Sequence, residues 1–276
     1  MKLGLIGCGK MGNALVGGMI ERGAVDAEDV VVFNRTPAKA KALQHAFPGI
    51  RVADDAGAVA SRSETVIIAS KPVGVLPALQ KISRCEDFSP LVISIAAGVP
   101  LAAMEQAAPD LSIIRAMPNT PCLAGCGAVA LCGGTQVNPH QIKTATELFS
   151  SVGIVVEVGE KDLHAVIGVA GSSPAYMYTI LDAMADAGVS LGLARETALS
   201  LAVQSMLGSA RLVQETGEHP MQLRDAVTSP GGTTIAALNT LDAHGLRAAI
   251  IAGVKRAASR SREMEESAFP APTPHP

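Results

Sequence analysis

The sequence predicts an α/β protein, with a largely parallel sheet in the N-terminal half and helices alone in the C-terminal half. Short apolar runs at residues 2–6, 30–33, 65–69, 91–95, 112–117, 128–131 and 154–158 each end in small or turn-forming residues. That is the pattern of strands alternating with crossover helices. From Asp162 onward such runs stop. Apolar residues then recur at helical spacing over 175–188, 195–215, 221–227, 234–241 and 245–264. A chain of 276 residues, 48% hydrophobic, can bury more than one core. Tryptophan is absent while Ala and Gly abound, so close helix packing with few aromatic anchors is expected. A formal net charge of −3 gives no handle for nucleic acid or an anionic membrane. No apolar run reaches membrane-spanning length. The N-terminus enters a strand without a signal-peptide layout, which points to the cytoplasm. Five cysteines, an odd number, read as free thiols there.

The first strand runs directly into Gly7-Cys-Gly-Lys-Met-Gly12 and then into a helical run from Asn13. A lone G-x-G-x-x-G is weak evidence, but a strand before it and a helix after it supply the context of a Rossmann-type dinucleotide-binding domain. Gly7 makes the tight turn, Gly9 lets the backbone approach a pyrophosphate, and Gly12 lets the helix pack close to the strand. With them, Lys10 and Met11 are candidate cofactor-binding residues at the helix N-terminus.

The second strand ends in Asn34-Arg35-Thr36-Pro37. A site that prefers NAD usually carries Asp or Glu here, bonding the ribose hydroxyls and repelling a 2′-phosphate. Asn34 removes that repulsion. Arg35 can grip a phosphate bidentately, and Thr36 adds a hydroxyl, with Lys39 one turn further on. NADP, and NADPH over NADH, is therefore the expected cofactor. In a doubly wound sheet the ligand lies along the carboxyl ends of the strands. This adds Ala69, Ser70, Lys71 and Pro72 after the third apolar run, Ala96, Ala97 and Gly98 after the fourth, and Asn119 and Thr120 after the fifth. Lys71 could equally serve as a structural ion-pair partner.

Cys122, Cys126 and Cys132, with His140 nearby, do not form paired C-x-x-C spacing, so no metal site is expected and small buried thiols are the reading. In the helical half, Gly171-Ser-Ser-Pro174 breaks the helical run and offers a new N-terminus with Pro174 at its first position. Residues 225–235 surround a Pro230-Gly231-Gly232 turn with Thr228, Ser229, Thr233 and Thr234. Adjacent glycines can bring consecutive amides to one point, and a following helix adds its dipole. Such a pocket of donors and hydroxyls suits a carboxylate. The alternative is an ordinary helix–helix turn with a Thr cap. The expected organisation is 1–160 for the NADP-binding domain, 161–266 for a helical substrate and dimerisation domain, and 267–276 for a proline-rich disordered tail.

The chain resembles the pyrroline-5-carboxylate reductase family over almost its whole length, to about Glu266. The glycine motif is shared with many families, whereas Met117-Pro-Asn-Thr-Pro121 is more telling. The most specific stretches are Gly171-Ser-Ser-Pro-Ala-Tyr176, Asp186-Ala-Gly188, Gly217-Glu-His-Pro220 and above all 223–235. The resemblance implies NADPH-dependent reduction of L-1-pyrroline-5-carboxylate, a cyclic imine, to L-proline in proline biosynthesis. It implies a Rossmann domain followed by an all-helical dimerisation domain, with homodimers that assemble into larger rings such as a decamer. It also makes Thr234 the residue that bonds the ring nitrogen, and places the substrate against Ser229, Gly231, Gly232, Thr233 and Thr234. Departures from the family pattern are Ala170 for Ser, Ser173 for Gly, and Ala56 where Asn is frequent near the adenosine ribose. A β-hydroxyacid dehydrogenase shares the broad architecture, but its helix-borne Lys and Asn are missing from residues 175–188. A non-catalytic NADP sensor is the remaining rival, motivated by the altered Gly-Ser-Ser-Pro turn.

Overall fold

A computed structural model describes residues 1–85 and 88–270. The chain divides into two compact units, Met1–Ser172 together with the segment from Arg256, and Ser173–Lys255. In the first unit the elements are β1 (Leu3–Ile6), α1 (Lys10–Glu21), β2 (Val30–Phe33), α2 (Pro37–Ala46), β3 (Arg51–Val52), α3 (Ala56–Ala60) and β4 (Thr65–Ile68). They continue as α4 (Val75–Ile82), β5 (Leu91–Ser94), α5 (Leu101–Ala107), β6 (Ile113–Met117), β7 (Gly127–Gly133), α6 (Pro139–Ser150), β8 (Gly153–Glu157) and α7 (Leu163–Val166). All eight strands form one sheet in the order β3-β2-β1-β4-β5-β6-β7-β8. The strands from β3 to β6 are parallel, β7 is antiparallel to β6, and β8 runs parallel to β7. This is the doubly wound order of a dinucleotide-binding sheet with a reversed pair added at one end.

Each strand feeds both faces because successive side chains alternate. Leu3 and Leu5 of β1 enter one apolar cluster with Leu15, Val16 and Met19 of α1, while Ile6 enters the other with Leu79 and Ile82 of α4. Burial on both faces explains the unbroken apolar runs in these strands. β3 escaped the sequence reading for the same reason in reverse: two residues, one of them the exposed Arg51, give no apolar run.

The sheet holds one charged side chain at its centre. Arg115 of β6 is fully buried, with Nη1 2.8 Å from Glu160 Oε1 and Nη2 2.5 Å from Glu265 Oε2. Glu160 Oε1 also accepts from the Leu101 amide at 2.7 Å. His164 joins the cluster through Nδ1, 3.0 Å from Ser261 Oγ, and Nε2, 3.6 Å from Glu265 Oε1. Removing one member of a buried ion pair strands the rest in low dielectric. Arg115→Leu is therefore expected to lower unfolding stability by about 3 kcal/mol, read by urea titration. A loss within error would mean that the carboxylates find water instead.

The sheet-to-helix transition was expected near residue 160, and β8 does end at Glu157. The compact-unit boundary falls later, after Ser172, because Leu163 of α7 is buried in the sheet's second apolar cluster. Residues 167–171 form a π-helical turn, with the Ser172 amide donating to Ile167 O at 2.8 Å. That turn ends at Ser172 and α8 starts at Ser173, so the helical run breaks within the Gly-Ser-Ser-Pro stretch as expected. At the other end, α12 (Leu246–Ala268) and Phe269, which packs on the second cluster, carry order past the expected start of the tail at 267. Residues 271–276 of that tail lie outside the described residues.

The second unit contains α8 (Ser173–Ser190), α9 (Arg195–Thr216), α10 (Pro220–Ala226), α11 (Thr233–Ala243) and the first turns of α12. α8 and α9 approach closely at small residues: a Cβ on Gly188 would lie 2.6 Å from that of Ala198. Arg195 at the start of α9 pairs with Asp182 and Asp186 of α8. Burial among the described residues of this unit is confined to Ala185, Ala198 and Ala202. Leu191, Leu199, Leu201, Leu207 and Val227 are exposed. Soluble monomers rarely display so much apolar helix surface.

Candidate active site

The nucleotide site begins at the carboxyl end of β1. Gly7 takes φ +110°, a conformation that favours glycine, and a Cβ there would lie 2.7 Å from the Ala69 carbonyl. Its amide donates to Phe33 O at 2.8 Å. A Cβ on Gly12 would lie 2.3 Å from Gly7 O, so α1 can start this close to β1 only with glycine. Above Gly9, by contrast, nothing comes within 4 Å of an added Cβ. Gly9 is the N-cap of α1 and supplies no capping side chain. The amides of Lys10, Met11 and Gly12 therefore have no helical acceptor, and they carry the positive end of the dipole of a 12-residue helix. That is an anion-binding arrangement opening onto empty space.

A cleft of about 380 Å3 runs from this turn to the end of β2. It gathers Gly7, Gly9, Asn34, Arg35, Thr36, Ala69, Ser70 and Lys71 from the expected set. Asn34 is also structural: its Oδ1 accepts from the Cys8 amide at 3.0 Å, and its Nδ2 donates to Thr36 O at 2.9 Å. Arg35, Lys39 and Lys71 line the cleft, are exposed, and make no ion pair among the described residues. Lys71 is thus not the structural ion-pair partner allowed above. Cations without protein partners beside a cleft are what a phosphate requires. Ala56 places a methyl in the lining. Its neighbour Asp55 caps α3 through the Ala58 amide at 2.8 Å and lies 3.7 Å from Lys81 Nζ.

Other expected contacts lie elsewhere along the strand ends. Lys10, Met11, Gly12 and Pro72 flank the cleft in sequence without lining it. Ala96 is buried, Ala97 is exposed, and Gly98 holds a left-handed turn at φ +73° after β5. Thr120 opens a 3-10 turn, Thr120–Ala124, after β6. The Asn119 side chain is committed to structure: Nδ2 donates to Ala170 O at 3.1 Å and Oδ1 accepts from the Ala128 amide at 2.9 Å. The Asn119 side chain therefore has a structural role beside the cofactor contact proposed for it. The sequence reading missed Val73, Gly74, Pro77, Ala78 and Lys81 in the lining. Part of their signal was present, because Pro77, Ala78 and Lys81 fall one turn apart on α4, whereas Val73 and Gly74 precede that helix.

In the second unit, Ser229–Gly232 forms a tight turn in which the Gly232 amide donates to Ser229 O at 3.1 Å. Gly231, at φ +67°, occupies the position that needs left-handed backbone. Thr228 Oγ1 donates to Arg224 O at 2.6 Å and ties the turn to α10. α11 begins at Thr233, one residue earlier than expected, and its N-cap is Gly232 without a side-chain cap. The Thr cap of the plain-turn reading is therefore not formed. The first bond back to the cap comes from the Ala236 amide to Gly232 O at 3.3 Å. Thr233, Thr234 and Ile235 keep their amides for another acceptor. Thr234 is half-buried, whereas Ser229 and Thr233 are exposed. The turn holds donors and hydroxyls and no ionisable group.

Cys122 and Cys132 are buried, but Cys126 is exposed, contrary to the reading of all three as buried thiols. Burial pushes the Cys8 thiol, in the glycine turn, up to about 11, so it stays neutral beside the anion site.

A parallel sheet in this strand order, a glycine turn onto a helix N-terminus and unpaired cations at the end of β2 define an NADP-dependent oxidoreductase. Residues 2–98 match the family model described as NADP oxidoreductase, coenzyme F420-dependent, and residues 160–264 match the one described as pyrroline-5-carboxylate reductase dimerisation. The pyrroline-5-carboxylate reductase of Synechocystis sp. is 43% identical over 264 residues, covering 96% of this chain and 98% of the relative. Among solved structures, the pyrroline-5-carboxylate reductase of Coxiella burnetii superposes with a TM-score of 0.88 at 33% identity, over 95% of this chain and 98% of that one. The Plasmodium falciparum pyrroline carboxylate reductase with NADP bound gives 0.86 at 29% identity, over 96% and 98%. The chain belongs to the pyrroline-5-carboxylate reductase family. It is an oxidoreductase, it uses NADP, and it is a homo-oligomer. Among the described residues no helix is long and apolar enough to cross a membrane.

Proposed function

We infer that this chain reduces L-1-pyrroline-5-carboxylate to L-proline with NADPH, the last step of proline biosynthesis. The carrying observation is the 43% identity to a named reductase across both halves of the chain. NADPH, when bound, supplies the hydride from C4 of its nicotinamide.

The chain's own residues have two tasks, positioning and charge management. The helix N-terminus behind Gly9 accepts the pyrophosphate, and Arg35 with Lys39 accepts the 2′-phosphate. Ser229, Gly231, Gly232 and Thr233 hold the substrate carboxylate through amides and hydroxyls. The Thr234 hydroxyl bonds the ring nitrogen, whose protonated form makes the adjacent carbon electrophilic. A threonine hydroxyl is too weak an acid to protonate the nitrogen unaided, so its role is to hold the nitrogen and relay the proton. We place the reaction in the cytoplasm and take the homodimer as the unit from which a larger ring, such as a decamer, is built.

NADPH consumption with added pyrroline-5-carboxylate, matched by proline formation, tests this reading. Cofactor binding without turnover would favour the sensor instead. Arg35→Ala is expected to raise KM for NADPH about 10- to 100-fold while leaving NADH kinetics nearly unchanged, since a charged hydrogen-bond pair is lost only with the 2′-phosphate. Equal losses with both cofactors would remove Arg35 from phosphate recognition.

A further inference from the structure

We infer that Lys81 is a further specificity-determining residue for the cofactor, donating to the adenine base from α4 at the far end of the nucleotide cleft. Four cations line that cleft, Arg35, Lys39, Lys71 and Lys81, and no carboxylate does so among the described residues. In the proposed function, Arg35 and Lys39 take the 2′-phosphate and the N-terminus of α1 takes the pyrophosphate. Lys81 is left over, and its place differs. Arg35 and Lys71 stand close behind the ends of β2 and β4. Lys81 sits in the last turn of α4, about 9 Å along the helix from Val75.

The lining that accompanies Lys81 is apolar. Val73, Pro77 and Ala78 belong to it, together with the Ala56 methyl at the start of α3. Val73 is 79% exposed, a large apolar group left open inside a ligand cleft. A flat heterocycle laid against it would cover it, the usual arrangement of an apolar site with a few placed polar groups. None of these four side chains can hydrogen-bond, so the polar side-chain contact to a base lying there falls to Lys81.

Lys81 is also held differently from the other three cations. Its Nζ lies 3.7 Å from Asp55 Oδ2, with both side chains about half-exposed. Asp55 is itself fixed, because its Oδ1 accepts from the Ala58 amide at 2.8 Å as the cap of α3. It therefore anchors the ammonium at the end of the apolar lining. A phosphate brought to this cation would also meet the Asp55 charge, and like charges repel. An ammonium has three donors, so one can face Asp55 while another meets a neutral acceptor such as a ring nitrogen of adenine. The inference rests on the use of NADP and not on the identity of the imine substrate.

Lys81→Met in the full chain keeps the apolar stem and removes the donor. By fluorescence titration it should raise the Kd for NADPH and for NADH alike, about tenfold each, because both carry adenine. That equality separates Lys81 from Arg35, whose loss is expected to matter with NADPH alone. The ratio of mutant to wild-type Kd should stay the same between about 0.05 and 0.5 M salt, since a contact to a neutral base is screened little. Lys81→Arg should recover most of the affinity. Unchanged Kd for both cofactors would make Lys81 a surface cation and overturn the inference. A loss confined to NADPH, or one that shrinks with salt, would overturn it too, by assigning Lys81 to a phosphate. So would a loss that arginine does not recover. No readout requires turnover, so failure here is distinguishable from failure of the enzymatic reading.

Discussion

Thr234→Ala lowers kcat about 100-fold while the thermal midpoint and the KM for NADPH stay close to the wild-type values. The side chain sits at the second position of α11, where the backbone already supplies the donors, so the helix does not need its hydroxyl as a cap. Folding therefore loses little. In the proposed mechanism the reaction loses a hydrogen bond to the nitrogen that changes charge as the hydride arrives, an interaction worth more in the transition state than in the bound substrate. Thr234→Ser, which keeps the hydroxyl, should recover most of the rate. A Thr234→Ala enzyme with unchanged kcat and KM would leave this threonine as an ordinary helix residue.

Leu201→Asp separates the assembly into smaller species and abolishes most activity. Leu201 is 60% exposed on α9, beside Met184, Leu193 and Ala198 in an apolar depression. In a unit that buries only three alanines among its described residues, such a leucine is expected to gain its cover from another copy. A carboxylate placed there costs about 3–5 kcal/mol when the face is covered and almost nothing when it is open. Association should weaken by more than 100-fold, the equivalent of about 2.7 kcal/mol. Activity should fall with it, because the proposed substrate turn belongs to the same thinly packed unit. Light scattering and the turnover assay on one sample check both claims. A fully active monomer would defeat the coupling.

The strands were legible because burial on both faces leaves a run of β-branched and apolar residues, as in Val30-Val-Val-Phe33 and Thr65-Val-Ile-Ile68. The helices of the second half were legible from apolar periodicity and from the glycines that end them, such as Gly217 at φ +67° after α9. β3 was not, because its pairing comes from Val31 and Val32 across the sheet and not from its own residues. The glycine motif located the anion site, and Asn34-Arg35-Thr36 located the end of the cleft. The far wall was missed because it is built from a short 3-10 turn and one face of α4, where single residues look like surface. The structural role of Asn119 was hidden for a different reason. Its place at a strand end fits a ligand, but Ala128 and Ala170, distant in sequence, claim its amide. Arg115 could have been noticed as a charge inside an apolar strand, yet its partner Glu265 lies 150 residues away.

Transfer of deuterium is the most direct test of the account. NADPH carrying two deuterium atoms at C4 of the nicotinamide should deliver one of them to the δ carbon of L-proline when mixed with this protein and pyrroline-5-carboxylate, raising the product mass by one unit. Proline formed without the label, or no proline despite bound NADPH, would contradict a hydride-transfer reductase at this site.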